Sequence, residues 1–83
     1  MNASEAYVLA FESTHAAMAA ASALDEAHVR YALIPTPRSI SAGCGMALRF
    51  DCGARTEVEA ALGGGAGEGR SLYHMVGSDC TPA

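Results

Sequence analysis

The sequence predicts an α+β fold with the element order β-α-β-β-α-β, on three observations. Short apolar runs with aromatic or branched members recur at Tyr7–Phe11, around Val29–Ile34, at Met46–Phe50 and near Leu72–Val76. Two stretches of strong helix formers, 14–27 and 56–62, lie between them. Clusters of Pro, Gly and Ser punctuate the joins.

The first run, "YVLAF", reads as a strand covered on both faces, and "EST" stops it. Ser13 or Thr14 can cap the N–H groups of the following helix, "THAAMAAASALDEA", about three turns long. Met18 and Leu24 mark its expected core side, with the alanines allowing close approach to a sheet. In "VRYALIP" the residues Val29, Tyr31 and Leu33 alternate with Arg30, Ala32 and Ile34, and the strand ends because Pro35 and Pro37 donate no N–H. A loop, "TPRSISAGCG", leads into "MALRF", where Met46, Leu48 and Phe50 face one way and Ala47 and Arg49 the other. This third strand is expected to be half-buried. Thr56 and Glu59 have the spacing of a capping box at the start of a short helix, "TEVEAAL". Five glycines between Gly63 and Gly69 end it, and "SLYHMVG" supplies a last strand, with Leu72, His74 and Val76 opposite Tyr73 and Met75. The tail from Ser78 to Ala83 is expected to be loose.

This order is a split βαβ pattern whose commonest solution is ferredoxin-like: two helices on one face of a four-stranded antiparallel sheet. The expectation is a single domain, 1–83, with an ordered core at about 6–77. A chain of 83 residues buries roughly 60 to 65% of its unfolded surface. Hydrophobic residues make up 51%, but many are alanine, with two Phe, three Tyr and no Trp, so the core is thin.

Composition also excludes partners. Nine acids against five bases, all arginine, give a net charge of −4 with no basic stripe, which argues against nucleic acid. No apolar run approaches the ~18 to 20 residues that cross a bilayer, and "MNASEAYV" carries acid where a signal peptide is basic. The expectation is a cytoplasmic protein with no membrane association. Three cysteines do not make the disulfide framework of a secreted mini-protein, so at least one thiol is free.

Cys44 is the first candidate for chemistry. Gly43 and Gly45 let the main chain turn its N–H groups toward the sulfur, and Arg38 can add a guanidinium, which together favour thiolate below the free value of about 8.5. The structural alternative is a small inert hydrophobe at the edge of a core. An acyl-transfer enzyme needs a base oriented by a third group, and no spacing ties His15, His28 or His74 to Cys44. A metal site is not expected, because the chain has no CxxC and no histidine pair at ligand spacing, and a straight strand three, at ~3.3 Å per residue, holds Cys44 and Cys52 more than about 20 Å apart. The same distance argues against their forming a disulfide. Cys52 precedes the second helix, where a modest thiolate benefit is expected, and Cys80 reads as a tail bystander or a mobile resolving thiol. "GGGAGEG" is no phosphate loop: it lacks the G-x-G-x-x-G register and follows a helix instead of preceding one. Glu57, Glu59 and Glu68 read as solvated acids, Glu59 being engaged in the cap.

From "YVLAFESTHAAMAAASAL" through "VRYALIPTPRSISAGCGMALRF" the chain resembles the selenium/sulfur carrier-like family, over about Tyr7 to Val76. The most specific part is Pro35, Pro37 and Arg38, then a serine, then Cys44 and Gly45 before an apolar strand. The resemblance implies transport of sulfur or selenium as a persulfide or selenopersulfide on Cys44, supported by Gly45 and Arg38. It implies a cysteine desulfurase as donor and selenophosphate synthetase or another acceptor as recipient. The glycine-expanded turn at Gly63–Gly69 and the additional Cys52 and Cys80 have no place in that pattern.

Such a carrier needs no cofactor and no internal base, only one accessible thiolate on a rigidly held loop. It is a carrier protein more than a stand-alone enzyme. The competing expectation is a binding or regulatory module, able to form a homodimer or hold a small ligand, in which Cys44 and Gly45 serve only a tight turn and Arg38 holds an anion.

Overall fold

The computed structural model describes residues 5–38, 40, 45–63, 69–77 and 79–83. Its elements are β1 (Glu5–Phe11), α1 (Thr14–Glu26), β2 (Ala32–Pro35), β3 (Met46–Asp51), a 3-10 turn (Cys52–Ala54), α2 (Arg55–Leu62), β4 (Arg70–Val76) and β5 (Asp79–Pro82). The five strands form one antiparallel sheet in the order β2-β3-β1-β4-β5.

The most apolar run becomes the central strand. Leu9 lies opposite Leu48 of β3 on one side and Leu72 of β4 on the other, and Tyr7 likewise faces Phe50 and His74. Strand alternation then sends Leu9, Phe11, Leu48, Phe50 and Leu72 to one face, where they pack under Ala17, Ala20, Ala21 and Leu24 of α1 and Val58 of α2. Leu9, Phe11, Leu24, Leu48 and Val58 are sealed from solvent, and each such side chain contributes about 1.5–3 kcal/mol by its burial.

The opposite face is covered too. Val8, Ala10 and Ala47 are buried there with Ile40, which lies in the β2–β3 connection, and Ile34, Tyr73, Met75 and Cys80 pack around them. The expectation that β3 is half-buried therefore fails at Ala47, which is fully covered.

The sheet has five strands, not four. The tail expected to be loose pairs with β4, Cys80 opposite Met75 and Thr81 opposite His74. Gly77 makes this possible: Val76 pairs with Asp79, and the tight connection between them places Gly77 at φ +62°, a conformation glycine takes without Cβ strain.

Three further local expectations are corrected. α1 buries Ala17, Ala20, Ala21 and Leu24, a stripe at i, i+3, i+4 and i+7; Met18 sits about 100° around the helix from Ala17 and is 58% exposed. The second strand begins at Ala32, not Val29, because Val29 belongs to the end of α1. Its N–H bonds Leu24 C=O at 2.9 Å while the N–H of His28 bonds Asp25 C=O at 3.1 Å, the paired bonds of a Schellman motif with His28 left-handed at φ +58°. The Thr56–Glu59 capping box does not form. The 3-10 turn starts the helix at Arg55, Ala54 is its N-cap, and the Glu59 carboxylate accepts from Arg55 Nε at 2.8 Å instead. The Ser13 cap does form, its Oγ accepting from the N–H of Ala16 at 3.1 Å.

Candidate functional site

The loop singled out by the sequence begins and ends at the β2–β3 hairpin. Pro35 closes β2 opposite Met46. One residue on, the N–H of Thr36 donates to Gly45 C=O at 2.9 Å, so the two ends of the loop are tied together. Pro37 C=O accepts from the N–H of Ile40 at 3.0 Å, and this turn drives Ile40 onto the back face of the sheet, where it is 5% exposed. Arg38 is exposed between these two fixed points. Gly43 and Cys44 lie outside the described residues. At Gly45 a Cβ would meet nothing within 4 Å and φ is not left-handed, so the backbone there does not demand glycine.

Pro35, Thr36, Pro37, Arg38, Ile40 and Gly45 thus share one sheet end. The structure builds a second cluster at the opposite end of β3. Cys52 stands in the 3-10 turn directly after Asp51, the last residue of β3. Glu5, at the start of β1, and His74, in β4, point to the same face, because Glu5 pairs with Val76 and Tyr7 with His74. The Cys52 Sγ, a His74 ring nitrogen and a Glu5 carboxylate oxygen all lie within 4.8 Å of one another. His74 Nε2 is 3.5 Å from Glu5 Oε2, an ion pair when the imidazole is protonated.

Aromatic packing positions this cluster. The Tyr7 ring stacks on Phe50 at 5.7 Å between centroids and meets His74 at 5.2 Å. Arg55 lies 4.8 Å over the Tyr7 ring and donates to Tyr7 Oη at 2.8 Å. The hydrogen bond to the Glu59 carboxylate, and then that to Tyr7, raise the Arg55 pKa further, which keeps the cation fixed there.

Cys52 is a thiol in a negative setting. Partial burial, then the charges of Glu5 and Asp51, push its pKa up, against a smaller lowering from a backbone hydrogen bond. The thiolate benefit expected from the helix start is not found: burial first, and then the two carboxylates, push the thiol the other way. Beside it opens a pocket of about 510 Å³ lined by Glu5, His28, Arg30, Asp51, Cys52 and Glu57, among others.

The convergence of Glu5, Cys52 and His74 was missed from sequence, where convergent metal ligands were not expected. Its only available signal was strand pairing, which places the β1 start, the β3 end and the β4 end side by side. Cys80, expected in a mobile tail, is half-buried in β5 against the back-face cluster. His28 lines the Cys52 pocket, and His15 is exposed in the first turn of α1. Among the described residues no helix is long and apolar enough to cross a membrane.

The family model described as Putative Se/S carrier protein-like matches residues 6–74. No curated protein and no solved structure matches the chain. Because that single match spans most of the 83 residues, both strands that frame the loop and the whole of the helical layer, the chain belongs to the Se/S carrier protein-like family.

Proposed function

We propose that the protein carries sulfur or selenium on Cys44, as one domain on a ferredoxin-like split βαβ framework extended by β5. The observation that carries the reading is the family match, which covers the loop and both of its flanking strands. Local charge supports the choice of Cys44 over the other thiols. No acidic residue occurs from Ala27 to Phe50, whereas Arg30, Arg38 and Arg49 do, so a thiolate or persulfide anion on this segment meets no carboxylate in its own stretch of chain. Cys52 faces the reverse situation.

In the proposed step the Cys44 thiolate attacks the outer sulfur of a donor persulfide. A new S–S bond forms to Cys44, the donor's S–S bond breaks, and the donor leaves as a thiolate, with no net oxidation or reduction. Attack by an acceptor nucleophile on the outer atom then returns Cys44 to a thiolate. Gly43 and Gly45 flank the thiol, Pro35 and Pro37 restrict the loop, and Arg38 offsets the anion. A cysteine desulfurase is the proposed donor class, and selenophosphate synthetase or another chalcogen acceptor the recipient.

The test is sulfur loading of the reduced protein by a cysteine desulfurase with cysteine, followed by intact mass. The reading expects a gain of one sulfur atom in wild type, and none in Cys44→Ser. No gain in wild type, with a desulfurase shown to load another acceptor, favours the binding-module reading instead.

A further inference from the structure

We propose that Glu5, Cys52 and His74 form a binding site for a thiophilic divalent cation, Zn²⁺ in particular. The donor set is one thiolate, one imidazole and one carboxylate, the three side-chain types that zinc uses. Three different strand ends supply them, and sheet pairing fixes two: Glu5 and His74 are held by the β1–β4 ladder, and Cys52 follows β3.

The spacing fits. Zinc bonds of about 2.0–2.1 Å to nitrogen and oxygen at a tetrahedral angle place those two atoms about 3.4 Å apart. His74 Nε2 and Glu5 Oε2 are 3.5 Å apart. A thiolate on the same ion, at about 2.3 Å from it, lies about 3.6 Å from each of them. The three donor atoms lie within 4.8 Å, so closure needs about an ångström of movement by the half-exposed Cys52 side chain.

Electrostatics point the same way. Glu5 is one of the donors and Asp51 directly precedes Cys52 in the chain, so the site brings negative charge to a cation, and a bound dication would displace the thiol proton. With Cys52 ionised the donors carry two negative charges, matching the ion, and Asp51 and Glu57 add acid at the rim of the adjoining pocket. Glu5 and Cys52 line that pocket, together with His28 and the cation Arg30, and a water or another ligand held in it could supply a fourth donor. Tyr7 against the His74 ring, itself held by Arg55, restricts the imidazole. Metal binding would also withdraw Cys52 from thiol exchange, and the proposal stands or falls independently of sulfur carriage on Cys44.

The test is titration of the reduced full chain with Co²⁺ under anaerobic conditions, followed by Zn²⁺ competition against a chromophoric chelator. The Cys44→Ser/Cys80→Ser variant isolates Cys52. It is expected to show a thiolate-to-cobalt charge-transfer band and the intense visible bands of four-coordinate cobalt. In the otherwise wild-type chain, which keeps Cys44 and Cys80, Cys52→Ser is expected to abolish the charge-transfer band. His74→Asn and Glu5→Gln are each expected to weaken Zn²⁺ binding by at least tenfold, since even outer-shell losses cost about 10–100-fold. Far-UV circular dichroism of each variant keeps ligand loss distinct from misfolding, and Glu5, exposed at the start of its strand, is the variant least able to disturb the fold. Absence of the charge-transfer band in the Cys44→Ser/Cys80→Ser variant, its survival in Cys52→Ser, or a loss of less than tenfold in a folded His74→Asn or Glu5→Gln overturns the site.

Discussion

β3 is flanked by the same dipeptide, Cys44-Gly45 before it and Cys52-Gly53 after it, and the sequence and the described residues give the two ends different settings. The Gly45 end is clamped by one backbone bond from Thr36 and one apolar anchor, Ile40, within a stretch free of acids. At the Cys52 end Glu5 and Asp51 press on the thiol and His74 stands beside it. The difference teaches that a Cys-Gly pair specifies no chemistry by itself. On the proposed readings, what surrounds each pair decides whether the sulfur serves as an anionic nucleophile, at Cys44, or as a metal ligand, at Cys52.

The comparison can be broken at its apolar anchor, where the largest effect is expected. Ile40→Ala removes the one described loop side chain buried on the back face, and should cost about 2–4 kcal/mol of unfolding free energy in urea denaturation. A loss below about 1 kcal/mol would show that Ile40 does not hold the loop to the sheet.

At the other end the backbone itself carries strain. His28 sits left-handed at the close of α1, whereas α2 ends on Gly63 at φ +73°. His28→Gly should stabilise the protein by about 1 kcal/mol, and Gly63→Ala should destabilise it by about the same amount. Equal and opposite shifts in thermal unfolding would confirm that the two helix ends differ by this one steric term. A destabilised His28→Gly would mean that the imidazole makes contacts outweighing its strain.

A smaller effect sharpens the electrostatic half of the contrast. In a Cys44→Ser/Cys80→Ser background, the pH profile of alkylation should place the Cys52 pKa above that of a free cysteine. Glu5→Gln or Asp51→Asn removes a negative charge that favours the thiol, so each lowers that pKa. Alkylation at neutral pH should then quicken roughly two- to fourfold, the size of one screened charge at a half-exposed site. An unchanged profile would remove the carboxylates as the cause.

Much of this frame was legible in the sequence, because it depends on local periodicity. "YVLAF" is apolar enough to demand a strand covered on both faces, the alternation of "MALRF" is enough to mark a strand though not its burial, and the Ser13 cap and the proline-bounded end of β2 are local signals that survive folding. Expectations failed where a distant contact overrode a local pattern. Met18 has the right chemistry for the core but the wrong angle by one residue, and six alanines and a leucine cannot reveal which side faces the sheet until the sheet exists. Thr56 and Glu59 have capping spacing, but Arg55 claims the Glu59 carboxylate. The tail pairs because β4 would otherwise be a bare edge and Gly77 permits the turn. The Cys52 cluster was invisible for the same reason: Glu5 and His74 are remote in sequence and adjacent only through strand register.

The central claim is that sulfur is carried on Cys44, before β3, and not on Cys52, after it. Desulfurase-driven loading of wild type, Cys44→Ser, Cys52→Ser and Cys80→Ser, read side by side by intact mass with peptide mapping of the modified residue, tests it most directly. The account predicts a gain of one sulfur in wild type, Cys52→Ser and Cys80→Ser, mapped to Cys44, and none in Cys44→Ser. Undiminished loading of Cys44→Ser, with the added sulfur on Cys52, would contradict it.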